Sequence, residues 1–269
     1  MSGSLINEDS IVKLAGAIRG KNGLRTTYRP QDMPQAILDL NTDGDVEIDP
    51  VAIQIMNNTI TTLDDSENQA IKTLGSYALY KCTRLTKIDL PVCTSIGAYA
   101  LAECTNLTTI NIPRVTSVSD YGFDGCNKIV SLGDGVRINS INSYGFRGCS
   151  RLAEFKTTGG GTIYQGAFTN CTALTSVDFG GYCNFYDCFR GCTNLESITL
   201  RFQNYTCQWY NYSSILTQLA DTKILTTGHI YVPEELIGQY RVALGWSDVA
   251  SRLAVIPPPE VPDDPEGGM

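Results

Sequence analysis

Ten cysteines and one histidine are the side chains of this 269-residue chain best equipped for chemistry. Thiolates ligate zinc, attack electrophiles or join as disulfides, and imidazole serves as base or ligand. Spacing decides which of these is on offer. Six of the ten, Cys82, Cys104, Cys126, Cys149, Cys171 and Cys192, stand 22, 22, 23, 22 and 21 residues apart. That is a series, whereas a nucleophile or a metal site needs one converging set. Cys183, Cys188 and Cys192 lie close together, yet they lack the paired short spacing of a structural zinc site, and His229 is far along the chain. No Ser-His-Asp or Cys-His set assembles around His229, and neither a phosphate loop nor a paired-His motif occurs. Gly159-Gly160-Gly161 is a lone glycine run in a turn. Asp89 and Asp178 recur at one repeat position, which makes them strand-face residues before they are a catalytic carboxylate pair. The reading is a chain that is not an enzyme and takes no cofactor and no metal.

The cysteines keep step with three other positions. Three residues before each stands Leu79, Leu101, Phe123, Phe146, Phe168 or Phe189, and three after stands Leu85, Leu107, Ile129, Leu152, Leu174 or Leu195. Three further on come Ile88, Ile110, Leu132, Phe155, Val177 and Ile198. A repeat of this length and apolar pattern is a leucine-rich solenoid. Leu85-Thr-Lys-Ile-Asp-Leu90 ends in the apolar–polar–apolar alternation of a half-buried strand. Ile88 and Leu90 then point inward, Lys87 and Asp89 outward, and stacked units pair their strands in one parallel ribbon at about 4.8 Å per rung. The fold class is an α/β repeat solenoid. The six cysteines read as a buried column of free structural thiols, because a reducing compartment disfavours disulfides.

Tyr121-Gly-Phe-Asp-Gly-Cys126, Tyr144-Gly-Phe-Arg-Gly-Cys149, Gln165-Gly-Ala-Phe-Thr-Asn-Cys-Thr-Ala-Leu174 and Thr94-Ser-Ile-Gly-Ala-Tyr-Ala-Leu101 resemble the BspA-like class of leucine-rich repeat. The resemblance covers about residues 60–206 and implies adhesion or recognition at a cell surface or on a virion. The first unit is less regular, with its strand expected at Thr59–Leu63. Residues 10–42 place Ile11, Leu14 and Ile18 on one helical face, end that helix at Asn22-Gly23 and start a second near Asp32-Met33-Pro34. This pair resembles a helical module of tail and fibre proteins from phages and prophages of Gram-positive gut bacteria. The implied organisation is a helical attachment and oligomerisation module at 1–42, a linker and N-terminal cap at 43–59, the solenoid at 60–206 and a C-terminal cap at 207–256. In that cap a strand at His229 leads into a helix from Pro233 to Leu244. Residues 257–269 form a Pro-rich acidic tail, extended and poorly ordered.

A net charge of −8 with scattered basic residues excludes nucleic acid as a partner. No apolar run is long enough to span a membrane, and the N-terminus lacks the apolar stretch of a secretory signal. These readings place the protein on a virion, made in the host cytoplasm, with the bacterial cell surface as the alternative. The implied partners are other virion proteins through the N-terminal module, a host-surface glycan or protein, and further copies of the chain, as a trimer or another homo-oligomer. A spacer with no ligand is the rival reading. Two surfaces offer themselves to a ligand. One is the outward face of the ribbon, including Lys87, Asp89, Asn111, Lys156 and Asp178. The other is a C-terminal concentration of aromatics, of which Tyr205, Trp209, Tyr210 and Tyr212 either meet a ligand or seal the cap.

Overall fold

The computed structural model describes residues 58–133, 135–204, 207–209 and 214–258. The helical module expected at 1–42 and nearly all of the linker and the tail lie outside them.

One coil shows why the chain folds as it does. Lys87–Asp89 runs extended with Ile88 buried between half-buried neighbours. Past Pro91 the buried Cys93 anchors a corner, and a second strand follows at Ser95–Ile96 with Ile96 buried. A turn segment from Tyr99 to Cys104 then closes the coil. Each of the three stretches hydrogen-bonds to its counterpart in the next coil.

The first stretches pair in parallel. Leu63, Ile88 and Ile110 are in register in a three-stranded ribbon, and Phe155, Val177, Ile198, Ile230 and Leu253 are in register in a five-stranded one. The second stretches form a seven-stranded parallel ribbon of two-residue strands, from Thr73–Leu74 to Gln208–Trp209. The turns make a third ladder. The N–H groups of Tyr77, Leu79 and Lys81 donate to the carbonyls of Ala98, Ala100 and Ala102 at 2.9, 2.7 and 2.9 Å, and the pattern repeats from coil to coil. Between the ladders the apolar side chains form one continuous core, in which Phe123, Phe146, Phe168 and Phe189 stack at 5.0, 5.6 and 5.7 Å.

Three expectations need correction. The ribbon is not continuous. The unit after Ile129 contributes no strand, because Gly133 and Gly135 take φ of +81° and +74°, which turns the chain out of the extended form. Leu132 stays buried while Val130 is 47% exposed. The first strand is Thr62–Asp64, not Thr59–Leu63, since its partner Lys87–Asp89 fixes the register there. The cap helix is shorter than Pro233–Leu244. A 3-10 turn at Glu234–Leu236 leads into an α-helix at Ile237–Val242, and Ala243 returns to extended geometry, leaving Leu244 fully exposed. The expected column of free buried thiols is present, and its members also hydrogen-bond. Sγ of Cys104, Cys126, Cys149, Cys171 and Cys192 donates to the carbonyl of Leu79, Leu101, Phe123, Phe146 and Phe168 of the preceding coil, at 3.0–3.2 Å.

Toward the C-terminus the turn ladder ends, among the described residues, before the two ribbons do. Side chains take its place. The N–H of Asp187 donates to Oε1 of the buried Gln218 at 2.9 Å, and the N–H of Gly191 donates to Oδ2 of Asp221 at 3.1 Å. Gln218 ends a four-residue helix, Ile215–Gln218, whose N-cap is the Ser214 hydroxyl. Behind it, buried Tyr240 and Trp246 clamp Cys207. The Tyr240 hydroxyl accepts from its N–H at 2.8 Å and the Trp246 indole donates to its carbonyl at 2.7 Å.

All ten cysteines are buried and unbridged. Burial pushes the Cys82 and Cys192 thiols up to about 12 and those of Cys149 and Cys171 well above the ordinary value. Such a thiol keeps its proton in the folded chain after the unfolded chain has lost it. Stability is therefore unaffected by these groups below the ordinary thiol pKa and falls as pH rises through it, by about 1.4 kcal/mol per pH unit per thiol. Thermal unfolding should hold steady from about pH 7 to 8 and drop steeply above about pH 9, and a thiol reagent at about pH 8 should label the protein only once denaturant is added. Gln218→Leu strands the Asp187 N–H, and denaturant titration should show a loss of about 1–3 kcal/mol.

Candidate recognition surface

The ribbon residues singled out from sequence do face outward, but they do not converge. Lys87, Asp89 and Asn111 lie on the three-stranded ribbon, Lys156 and Asp178 on the five-stranded one beyond the break. They also engage one another. The Lys87 ammonium reaches Asp64 at 2.8 Å and Asp89 at 3.4 Å, and Asn111 donates to Asp89 at 2.7 Å. Together with Ser66, Lys87 holds the Asp64 carboxyl well below the usual carboxylate range. Asp178 stands opposite Lys156 in register, yet its carboxylate is gripped by the Arg201 guanidinium at 2.8 Å. Apart from Lys156, the charges singled out on this face satisfy one another or a neighbour.

The described members of the C-terminal aromatic stretch do not form one surface. Phe185 is buried in the core, Tyr182 packs edge-on to Phe202, and Tyr186 stacks on Tyr164. Trp209 pairs through its backbone with Phe185 in the second ribbon. Tyr205, Tyr210 and Tyr212 lie outside the described residues. His229 is exposed on its strand, its ring 5.9 Å from that of Tyr231. Among the described residues no three His, Cys, Asp or Glu are grouped to hold a metal ion, and no helix is long and apolar enough to cross a membrane.

The structure brings together a different set. Tyr77, Tyr99, Tyr121 and Tyr144 stand one per coil on the outer side of the turn ladder. Their rings stack at 5.0, 4.6 and 5.1 Å with interplanar angles of 3°, 11° and 18°. Phe123 and Phe146, two residues on from Tyr121 and Tyr144, fall on the inner side. Tyr80 meets Tyr77 and Tyr99 edge-on. The Arg147 guanidinium lies 5.0 Å from the Tyr121 ring and 5.3 Å from that of Tyr144 while holding Asp124 in a two-pronged pair at 2.8 and 2.6 Å. Lys81 pairs with Glu103 at 3.6 Å.

All four tyrosines have left-handed backbone, with φ between +56° and +62°. A side chain there costs about 1–2 kcal/mol, and each stacked pair returns about 0.5–1.5 kcal/mol. Three pairs at best offset four strained residues. The next two coils close the same turn with Gly166 at φ +67° and Asp187 at φ +45°, so the fold does not require tyrosine here. The edge-on contacts of Tyr80 and the Arg147 guanidinium beside Tyr121 and Tyr144 add to the stacking, so the row is close to neutral for stability.

With their faces covered by one another, the rings offer edges and hydroxyls outward. Among the described residues the hydroxyls of Tyr77, Tyr99, Tyr121 and Tyr144 have no hydrogen-bond partner, and none is a buried orphan. Burial and the flanking phenols raise the Tyr99 pKa, so its hydroxyl stays protonated. Sequence reasoning missed these residues as a site. The signal was present, since each stands five residues before a cysteine of the series. What the spacing does not say is which way a left-handed residue in a turn points.

A family model for the BspA type leucine rich repeat region matches six copies in this chain, over residues 72–187 and 135–227. The chain belongs to the BspA-type leucine-rich repeat family. No curated protein matches it. Solved structures of similar fold include the T. pallidum leucine rich repeat protein, at 22% identity and a TM-score of 0.45, over 52% of this chain and 67% of that one. A leucine-rich repeat protein from Bacteroides ovatus is 18% identical with a TM-score of 0.44, over 66% and 45%. The pneumococcal vaccine antigen PcpA is 16% identical with a TM-score of 0.38, over 73% and 40%. This chain thus spans less than half the length of the last two.

In this BspA-type solenoid the tyrosine row ends where the Tyr144 ring lies over Gly166. A Cβ on Gly166 would collide with the Tyr144 ring. Gly166→Ala should therefore displace that ring and add backbone strain, lowering stability by about 1–3 kcal/mol. Thermal unfolding together with near-ultraviolet circular dichroism of the tyrosines checks both effects.

Proposed function

We propose that this BspA-type chain is a non-enzymatic recognition protein that binds an extended ligand on a bacterial surface through the Tyr77–Tyr144 row. The observation that carries the reading is the row itself. Four outward aromatics are kept in strained backbone, one per coil, where the same turn closes without them. The rigid stack of coils suits such a role, because a linear ligand meets a linear array and little is ordered on binding. The lack of a catalytic task is supported by the engagement of Asp64, Asp89, Asp124, Asp178 and Glu196 with basic side chains rather than with each other.

The setting we propose is a virion, as a tail or head fibre. In it the N-terminal segment attaches to other virion proteins or assembles further copies of the chain, and the repeats face the host. The support is the resemblance of residues 10–42 to a fibre-protein module.

Labelled protein should bind saturably to some strains in a panel of Gram-positive gut bacteria and to no others. Protein shown to be folded that binds no strain would leave the solenoid as a spacer. Antibody against the solenoid should decorate phage particles. Decoration of uninfected cells alone would move the protein to the bacterial surface as an adhesin.

A further inference from the structure

We infer that the ligand of the tyrosine row is a linear, uncharged polysaccharide lying along the solenoid axis, its hydroxyls paired with the phenols. This inference rests on the recognition role proposed above. Each phenol is at once donor and acceptor, and the four have no protein partner among the described residues. A polyol offers the same double capacity on every monomer.

Charge argues against a polyanion. The cations beside the row are already paired, Arg147 with Asp124 and Lys81 with Glu103. A phosphate-bearing polymer would have to break these pairs to be neutralised.

Spacing and access argue against a peptide. Same-face side chains of an extended peptide recur every 6.4–6.8 Å or so, out of step with rings 4.6–5.1 Å apart. A Pro-rich helix docks by slotting between aromatic side chains, and the stacked rings leave no slot. A pyranose chain advances by about one ring length per monomer, and each coil presents one hydroxyl.

The test uses the full chain and a strain that it binds. Neutral polysaccharide, teichoic acid and protease-released surface protein are prepared from that strain's wall and used as competitors. The neutral polysaccharide should displace the protein, periodate should destroy that activity, and about 0.5 M NaCl should leave binding intact, because no ion pair forms. Tyr99→Phe/Tyr121→Phe keeps rings and stacking but removes two hydroxyls. It should unfold at the native temperature and bind at least about tenfold more weakly. Competition by teichoic acid alone, loss of binding on protease treatment of the cells, or native affinity in the double Phe variant would overturn the inference while leaving recognition standing. Failure of the native protein to bind any strain would remove the recognition role, and this inference with it.

Discussion

Every coil of this protein carries backbone N–H and C=O groups that only the adjacent coil can satisfy. A buried peptide group without a partner costs about as much as the hydrogen bond it forgoes. The chain meets this constraint along three lines at once, in the two strand ribbons and in the turns from Tyr77-Ala-Leu79 onward. Because all three advance by one coil together, an apolar residue placed once per repeat falls on its predecessor. The phenylalanine stack and the cysteine column are consequences of that register. The thiols extend the same logic, since each S–H finds the carbonyl of the residue three positions before the previous cysteine.

A repeating demand leaves a remainder at its ends. Among the described residues no further turn of this kind follows Asp187 and Gly191, and Gln218 and Asp221 supply side-chain oxygens where main-chain oxygens stand in the earlier coils. Tyr240 and Trp246 do likewise for the main chain of Cys207. The stack also tolerates a local failure. Gly133 and Gly135 interrupt the first ribbon, yet the second ribbon runs unbroken from Thr73 to Trp209 and keeps the coils in phase.

The same pitch that orders the interior orders the exterior. On the first ribbon it brings opposite charges together, which neutralise one another and leave little for a ligand to read. On the turn side it brings like side chains together, and four phenols become one array. Its ring faces are turned inward along the stack and its hydroxyls outward to solvent.

The repeat, its phase and the buried identity of its leucines, phenylalanines and cysteines were legible in the sequence, because an apolar residue recurring at a fixed interval has one physical meaning in a stack of coils. So were the half-buried strand at Lys87–Asp89 and the cap strand at His229–Val232. The tertiary structure alone decided the rest. Strand alternation predicts that Lys87 points outward, but no such rule holds through turns whose residues switch between right- and left-handed backbone. The outward direction of Tyr99 and the inward direction of Phe123 follow from the turn's hydrogen bonds to the neighbouring coil. Gln218 carries no mark in the sequence either, because its role is defined by an N–H 31 residues away that its side chain reaches only in the folded chain. Periodicity fixes what lies inside; which side chains meet across coils, and with what left unpaired, is set only when the coils stack.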